Sequence, residues 1–155
     1  MVASHGDAAA QKALEMRLAA ALKSDVPQAA KDFLCRKLSL IGSAACVPTV
    51  AGLLTDEKLS HMARYALEPI RDPSVDDALR DALGKVEGRP RLGIIGSLGV
   101  RRDAKAVTAL TALLKDAETS RAAARALGSI GTPEAAKALQ DALPGTTGGD
   151  QWDIC

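Results

Sequence analysis

The sequence predicts an all-α chain: an α-solenoid of about four helical hairpins, with one further helix closing its N-terminal end. Three observations carry that prediction. Thirty of the 155 residues are Ala and twenty are Leu, while Phe, Tyr and Trp occur once each. Ala and Leu lose little side-chain freedom in a helix, and so few aromatics do not furnish an ordinary sandwich or barrel. A segment also recurs at a nearly fixed spacing, as stacked repeats do, and each copy opens on a residue type that caps helices.

In chain order, residues 7–23, DAAAQKALEMRLAAALK, predict an amphipathic helix that covers the first hairpin, because the end unit of a solenoid otherwise leaves its apolar face bare. Four units follow, near 25–55, 56–86, 88–115 and 117–143, in one domain over residues 1–143. They align as LIGSAACVPTVAGLL from Leu40, PIRDPSVDDALRDAL from Pro69, RRDAKAVTALTALL from Arg101 and SIGTPEAAKALQDAL from Ser129. The anchors Ser43, Asp72, Asp103 and Thr132 lie 29, 31 and 29 residues apart. Each is predicted to cap a helix by accepting from its free first-turn amides, and Pro73 and Pro133 follow where a helix tolerates proline.

Counting from the cap, the third residue is Cys46, Val75, Ala106 or Ala135, the seventh Val50, Leu79, Leu110 or Leu139, and the eleventh Leu54, Leu83, Leu114 or Leu143. That spacing marks one buried face per second helix. A first helix precedes each cap, ending on Leu38 and Ile41, Leu67 and Ile70, Ile95 and Leu98, or Leu127 and Ile130. In this alignment Gly42 and Gly131 close their helices in the left-handed conformation, and Val100, Arg101 and Arg102 lengthen the turn after Gly99. Unit two places Pro69 in a last helical turn and Asp76 where the others have Val47, Val107 and Ala136, which predicts a kink or local loosening. The glycine- and threonine-rich residues 144–155, PGTTGGDQWDIC, predict a flexible tail whose Trp152 docks on the last hairpin.

RLGIIGSLGVRRDAKAV, residues 91–107, imitates a phosphate-binding loop, with Gly93, Gly96 and Gly99 at three-residue steps. The repeat removes that reading, since Gly96-Ser97-Leu98-Gly99 falls on Gly128-Ser129-Ile130-Gly131, and a dinucleotide fold needs a strand before the glycines. Gly96 is then a helix residue and a close packing point. The cysteines Cys35, Cys46 and Cys155 lack paired metal spacing; the first two are predicted to be shielded thiols and the last exposed.

ARALGSIGTPEAAKALQDAL and DAKAVTALTALLKDAE resemble HEAT repeats of the short bacterial type, also called phycobilisome-lyase-like HEAT repeats. The resemblance covers residues 25–143 and is strongest in units three and four. It implies a bacterial source and a concave face, lined by the second helices, that holds other macromolecules, but no single chemistry. Catalytic proteins on similar scaffolds leave signatures that are missing. Di-iron hydroxylases of this type carry repeated His-Glu pairs, whereas His5 precedes Gly6 and His61 precedes Met62. DNA glycosylases of this type need a basic, aromatic-bearing face. Glu57 and His61 read as an exposed pair four residues apart, with no nucleophile in relation to them.

Twenty Lys and Arg against nineteen Asp and Glu give a net charge of +1, so no overall field draws nucleic acid or anionic membrane. The most basic stretch, Lys85, Arg89, Arg91, Arg101, Arg102 and Lys105, is divided by a helix, placing Arg91 and Arg101 on opposite edges; Arg101 and Arg102 are expected to be solvated and to complement a helix C-terminus. No window is long and apolar enough to span a bilayer, and no export signal opens the chain, so the expectation is cytoplasmic for a complete chain and periplasmic for a domain of an exported protein. The expected function is a non-catalytic scaffold without cofactor or metal, binding a protein or peptide rather than nucleic acid or membrane; the alternative is an accessory or chaperone-like subunit of an enzyme, such as a bilin lyase. The residues five, eight and nine after each cap form the expected concave stripe. It carries Asp77, Arg80 and Asp81 in unit two, Thr108 and Thr111 in unit three, and Lys137, Gln140 and Asp141 in unit four.

Overall fold

The computed structural model describes residues 7–142. Nine α-helices run through them, with no strand among the described residues. They are α1 (Ala8–Leu22), α2 (Gln28–Ile41), α3 (Val47–Ala51), α4 (Ser60–Leu67), α5 (Pro73–Leu83), α6 (Gly88–Val100), α7 (Val107–Ala112), α8 (Ser120–Ile130) and α9 (Pro133–Ala142). Single 3-10 turns open α3 and α7 and extend α7 at its end. The expected tail, Leu143, Trp152, Cys155 and His5 lie outside the described residues.

Every predicted cap is made. The side chains of Ser43, Asp72, Asp103 and Thr132 accept from the amides of Ala45, Ser74, Lys105 and Ala135 at 2.9–3.3 Å. Asp7 does the same for α1, accepting from Ala9 and Ala10. Each cap is worth about 1 kcal/mol and, more usefully, fixes where its helix begins. The faces that follow are buried as their spacing requires. Cys46, Val75, Ala106 and Ala135 are covered, as are Val50, Leu79 and Leu110, while Leu139 in the last hairpin is half-buried. Five residues before each cap stand Leu38, Leu67, Leu98 and Leu127, all fully buried.

These faces set the layers. The first helices α2, α4, α6 and α8 pack side by side, α3 packs on α5 and α7 on α9, and α1 lies against α2 and α3 at the N-terminal end. The capping role expected of residues 7–23 is therefore present, and it includes a polar anchor. Glu15 is buried, and its carboxylate accepts from the Ser43 amide at 2.8 Å and from the Ser43 hydroxyl at 2.9 Å. It stands where the start of the first hairpin's second helix presents free amides, so charge and dipole agree.

Three local expectations need correction. In unit three the helix does not stop at Gly99: α6 runs on to Val100, and Arg102, at φ 54°, occupies the left-handed position that Gly131, at φ 68°, fills in unit four. Leu98 is thus the partner of Leu127, Arg101 stands where Ile70 and Ile130 stand, and the extra length of α6 is at its start. Gly42 closes α2 with φ −65°, so freedom of backbone is not its reason. A Cβ there would come within 3.0 Å of Cys46 Sγ and 3.2 Å of Ile70 Cδ1, which makes it a packing glycine. Likewise Gly96 is not a close packing point, because nothing lies within 4 Å of where its Cβ would be; Gly99 has that role, its missing Cβ falling 2.8 Å from Ala126 Cα.

Unit two is not loosened either. The helix α4 ends at Leu67, ahead of Pro69, and Ile70 remains buried. Asp76 is accommodated by pairing with Arg101.

Leu110 is fully buried at the repeated seventh position. Leu110→Ala is expected to cost roughly 2–5 kcal/mol through lost burial and a residual cavity, read by equilibrium denaturation; a near-neutral result contradicts the register. Cys35 and Cys46 are free and buried. Burial first, then the charge of Asp32, pushes Cys35 up to about 11; burial first, then Glu15, pushes Cys46 up to about 12. Folded-state values raised above that of an unfolded thiol mean that the stability these groups contribute is complete below about pH 9 and is lost as pH climbs through the folded values. At pH 8 a thiol reagent should leave both intact in the native protein and modify both once it is denatured.

Candidate partner-binding surface

The stripe expected from the repeat falls on the second helices, one set per unit. Asp77, Thr108 and Lys137, five residues after their caps, are exposed. Eight after, Arg80 and Thr111 are half-buried and Gln140 is exposed; nine after, Asp81 and Asp141 are exposed. The helical spacing thus puts all eight at or near the surface of α5, α7 and α9.

Their chemistry is less free than the sequence suggested. Arg80 donates to Asp77 on its own helix and to Asp103, the buried cap of the next unit. Burial lowers the pKa of this guanidinium, but the carboxylates of Asp103 and Asp77 outweigh that and the net shift is upward. Arg80 is accordingly a joint between units two and three. Lys137 and Asp141 form an exposed pair at 3.8 Å, and the Thr111 hydroxyl donates to the carbonyl of Val107 at 2.7 Å. Asp81, Thr108 and Gln140 keep side chains turned to solvent without such ties among the described residues. Thr111 and Asp141 also share a cleft of about 520 Å³ between the end of α7 and α9, floored by Leu114 and Ala138.

The basic stretch is divided, as expected, and Arg102 and Lys105 are exposed, but Arg101 is not solvated. Arg101 is largely covered, and its Nη1 donates to the carbonyls of Glu68 at 3.0 Å and Ile70 at 2.7 Å, while Nη2 donates to the carbonyl of Asp72 at 3.2 Å and to Asp76 at 3.1 Å. It does complement a helix C-terminus, but that of α4 in the preceding unit, which lies about thirty positions earlier in sequence and so left no local signal. Lys85, Arg89 and Arg91 line a separate cleft of about 510 Å³ with Glu57 and Glu87. His61 is exposed, and its ring nitrogen lies 3.3 Å from Arg64 rather than being paired with Glu57.

Arg64 was not singled out by sequence. It lies across α6 because Gly93 has no side chain: a Cβ there would collide with the guanidinium. Its Nη1 donates to the carbonyl of Gly93 at 3.2 Å, and burial lowers its pKa, with Glu68 opposing. No group of three or more His, Cys, Asp or Glu residues suited to a metal ion occurs among the described residues.

Residues 87–150 match the family model for HEAT repeats. The fold is an all-α solenoid, and its units three and four are similar to HEAT repeats. The match covers units three and four, and the first two units repeat the same capped turn and buried leucine. No curated protein matches the chain. HEAT hairpins serve generally as interaction scaffolds, and no described helix is long and apolar enough to cross a membrane.

The joint between units two and three yields a test. Arg101 stands where the three other units have Ile, and Asp76 where two others have the buried Val47 and Val107. Asp76→Val and Arg101→Ile should each destabilise, since each leaves a partly buried charge or carbonyls unpaired. The double variant should lose less than their sum, with a coupling of about 1–3 kcal/mol in a denaturation cycle; strict additivity contradicts the pairing.

Proposed function

We propose that the chain is a non-catalytic scaffold that holds a polypeptide along the stripe of its second helices. The observation that supports this most directly is the cleft between α7 and α9, which joins Thr111 of one unit to Asp141 of the next over an apolar floor. Around it the surface alternates hydroxyl, amide and self-paired charges. Such a surface hydrogen-bonds to a peptide backbone and gives a polyphosphate little to neutralise. Asp77, Arg80 and Asp81 extend it into unit two, with Arg80 holding the wall in shape rather than meeting the partner.

That division of labour determines the test. Arg80 is left alone, because reversing its charge would break the joint to Asp103. The exposed positions are changed together in Asp81→Lys, Thr108→Lys and Gln140→Lys, and melting temperature is checked. Partners are then recovered from cells of the source species with wild type and triple variant. The expected result is a specific partner retained by the wild type and lost by the variant at unchanged stability. Equal recovery by both proteins places binding elsewhere.

A further inference from the structure

We propose a second docking site on the opposite layer, a groove across α4, α6 and α8 that takes a short acidic peptide with an apolar side chain beside its carboxylate. The groove has a volume of about 370 Å³, and its lining includes Arg64 and Glu68 of α4, Leu92, Gly96 and Val100 of α6, and Arg125 of α8. It is formed by the first helices and is independent of the stripe on the second helices.

The glycines of α6 supply the first argument. Gly93 makes room for Arg64 and Gly99 for Ala126, whereas Gly96, between them, has no neighbour within 4 Å. Gly128 of α8 is equally open, but of the two Gly96 is the one that lines the groove. Nothing in the described fold approaches Gly96. Its bare, exposed backbone is part of the groove lining and leaves open the space a side chain would fill.

Charge supplies the second argument. Arg64 is half-buried, and its Nε is buried without a partner; its other nitrogens reach the Gly93 carbonyl at 3.2 Å, the Ser97 hydroxyl at 3.4 Å and His61 at 3.3 Å. Among the described residues no carboxylate pairs with Arg64 or with the exposed Arg125. Glu68, the acid in the groove, is occupied by the Ser97 hydroxyl, which donates to it at 2.6 Å. Two guanidiniums against one carboxylate leave the groove with a net positive charge, an arrangement that favours an incoming acid, which arginine can bind through two parallel hydrogen bonds. Beside them Val100 is 70% exposed, offering apolar contact to a neighbouring side chain. Two arginines without an aromatic platform in the lining do not make a track for a nucleic acid.

Random twelve-residue peptides displayed on phage would be selected on the whole chain and counter-selected on Gly96→Leu, whose side chain fills that open space. The enriched sequences are expected to carry Asp or Glu next to Leu, Ile or Phe. Made with a fluorophore, they should bind about tenfold or more weakly to Gly96→Leu and to Arg125→Glu by anisotropy. Affinity for the Asp81→Lys, Thr108→Lys, Gln140→Lys variant should be unchanged, which separates this site from the stripe. Arg125 is exposed, so its variant remains informative even if Gly96→Leu fails to fold. The proposal is overturned if no peptide survives counter-selection, if the survivors lack carboxylates, if Arg125→Glu binds like wild type, or if labelled oligouridylate proves to be the ligand that both groove variants lose.

Discussion

The tight turn inside each hairpin is the constraint on which the rest of this structure depends. There the free carbonyls ending one helix and the free amides opening the next come together within a few residues, and each needs a partner. The first partner is local, the cap at Ser43, Asp72, Asp103 or Thr132. The second comes from a neighbouring element. Glu15 reaches the turn of unit one from α1, Arg101 reaches the turn of unit two from unit three, and Arg80 reaches the cap of unit three from unit two. Three of the chain's long-range polar contacts thus land on turns, and in units one to three the satisfaction of the turn also fixes where a neighbouring element sits.

This explains what was legible in the sequence. A cap and the apolar residues three and seven positions after it are written within one helix, so spacing alone identified them, and Leu38, Leu67, Leu98 and Leu127 follow the same logic. The second partners lie 23 to 33 residues from their targets, and nothing local marks them. Arg101 therefore read as an insertion beside a solvated helix end, although it occupies an isoleucine position, and its carboxylate partner Asp76 read as a defect. The two departures compensate each other. The glycine run misled in the same way: three equal steps suggested one role, while the structure gives three, with Gly93 under Arg64, Gly99 against Ala126 and Gly96 in open space. Of the stripe, exposure was legible and the engagement of Arg80 was not, because Asp103 belongs to the next unit.

The internal use of charge also shapes both surfaces. Arg80, Arg101, Asp76 and Asp103 are engaged at the joints, and Lys137 faces Asp141. Little fixed charge is left on the second helices, which is why that wall suits backbone and hydroxyl chemistry. On the first helices the order is reversed, since Arg64 and Arg125 outnumber the single carboxylate of Glu68 in the groove and neither is bonded to it. A nearly neutral chain thereby presents two faces of different polarity, a distinction that net charge does not reveal.

In a solenoid each unit meets only its neighbours, so the character of each joint decides how firmly spacing is held there. Units one and two, and three and four, are joined by packing of their second helices, α3 on α5 and α7 on α9. Between units two and three, α5 and α7 are not closely packed; α6 packs on α4 and α5 instead, and Arg80 with Asp103 and Arg101 with Asp76 add ion pairs to that joint. Apolar packing tolerates small slides, whereas a guanidinium bonded to a carboxylate and to several carbonyls holds only when its geometry is met. The middle joint is therefore the most specified in direction, although it gains less from burial because partly desolvated charges offset much of their own attraction. It lies midway along the stripe, between Asp81 and Thr108. The angle at which the two halves present that wall is consequently set by four charged side chains together with the packing of α6 on α4 and α5.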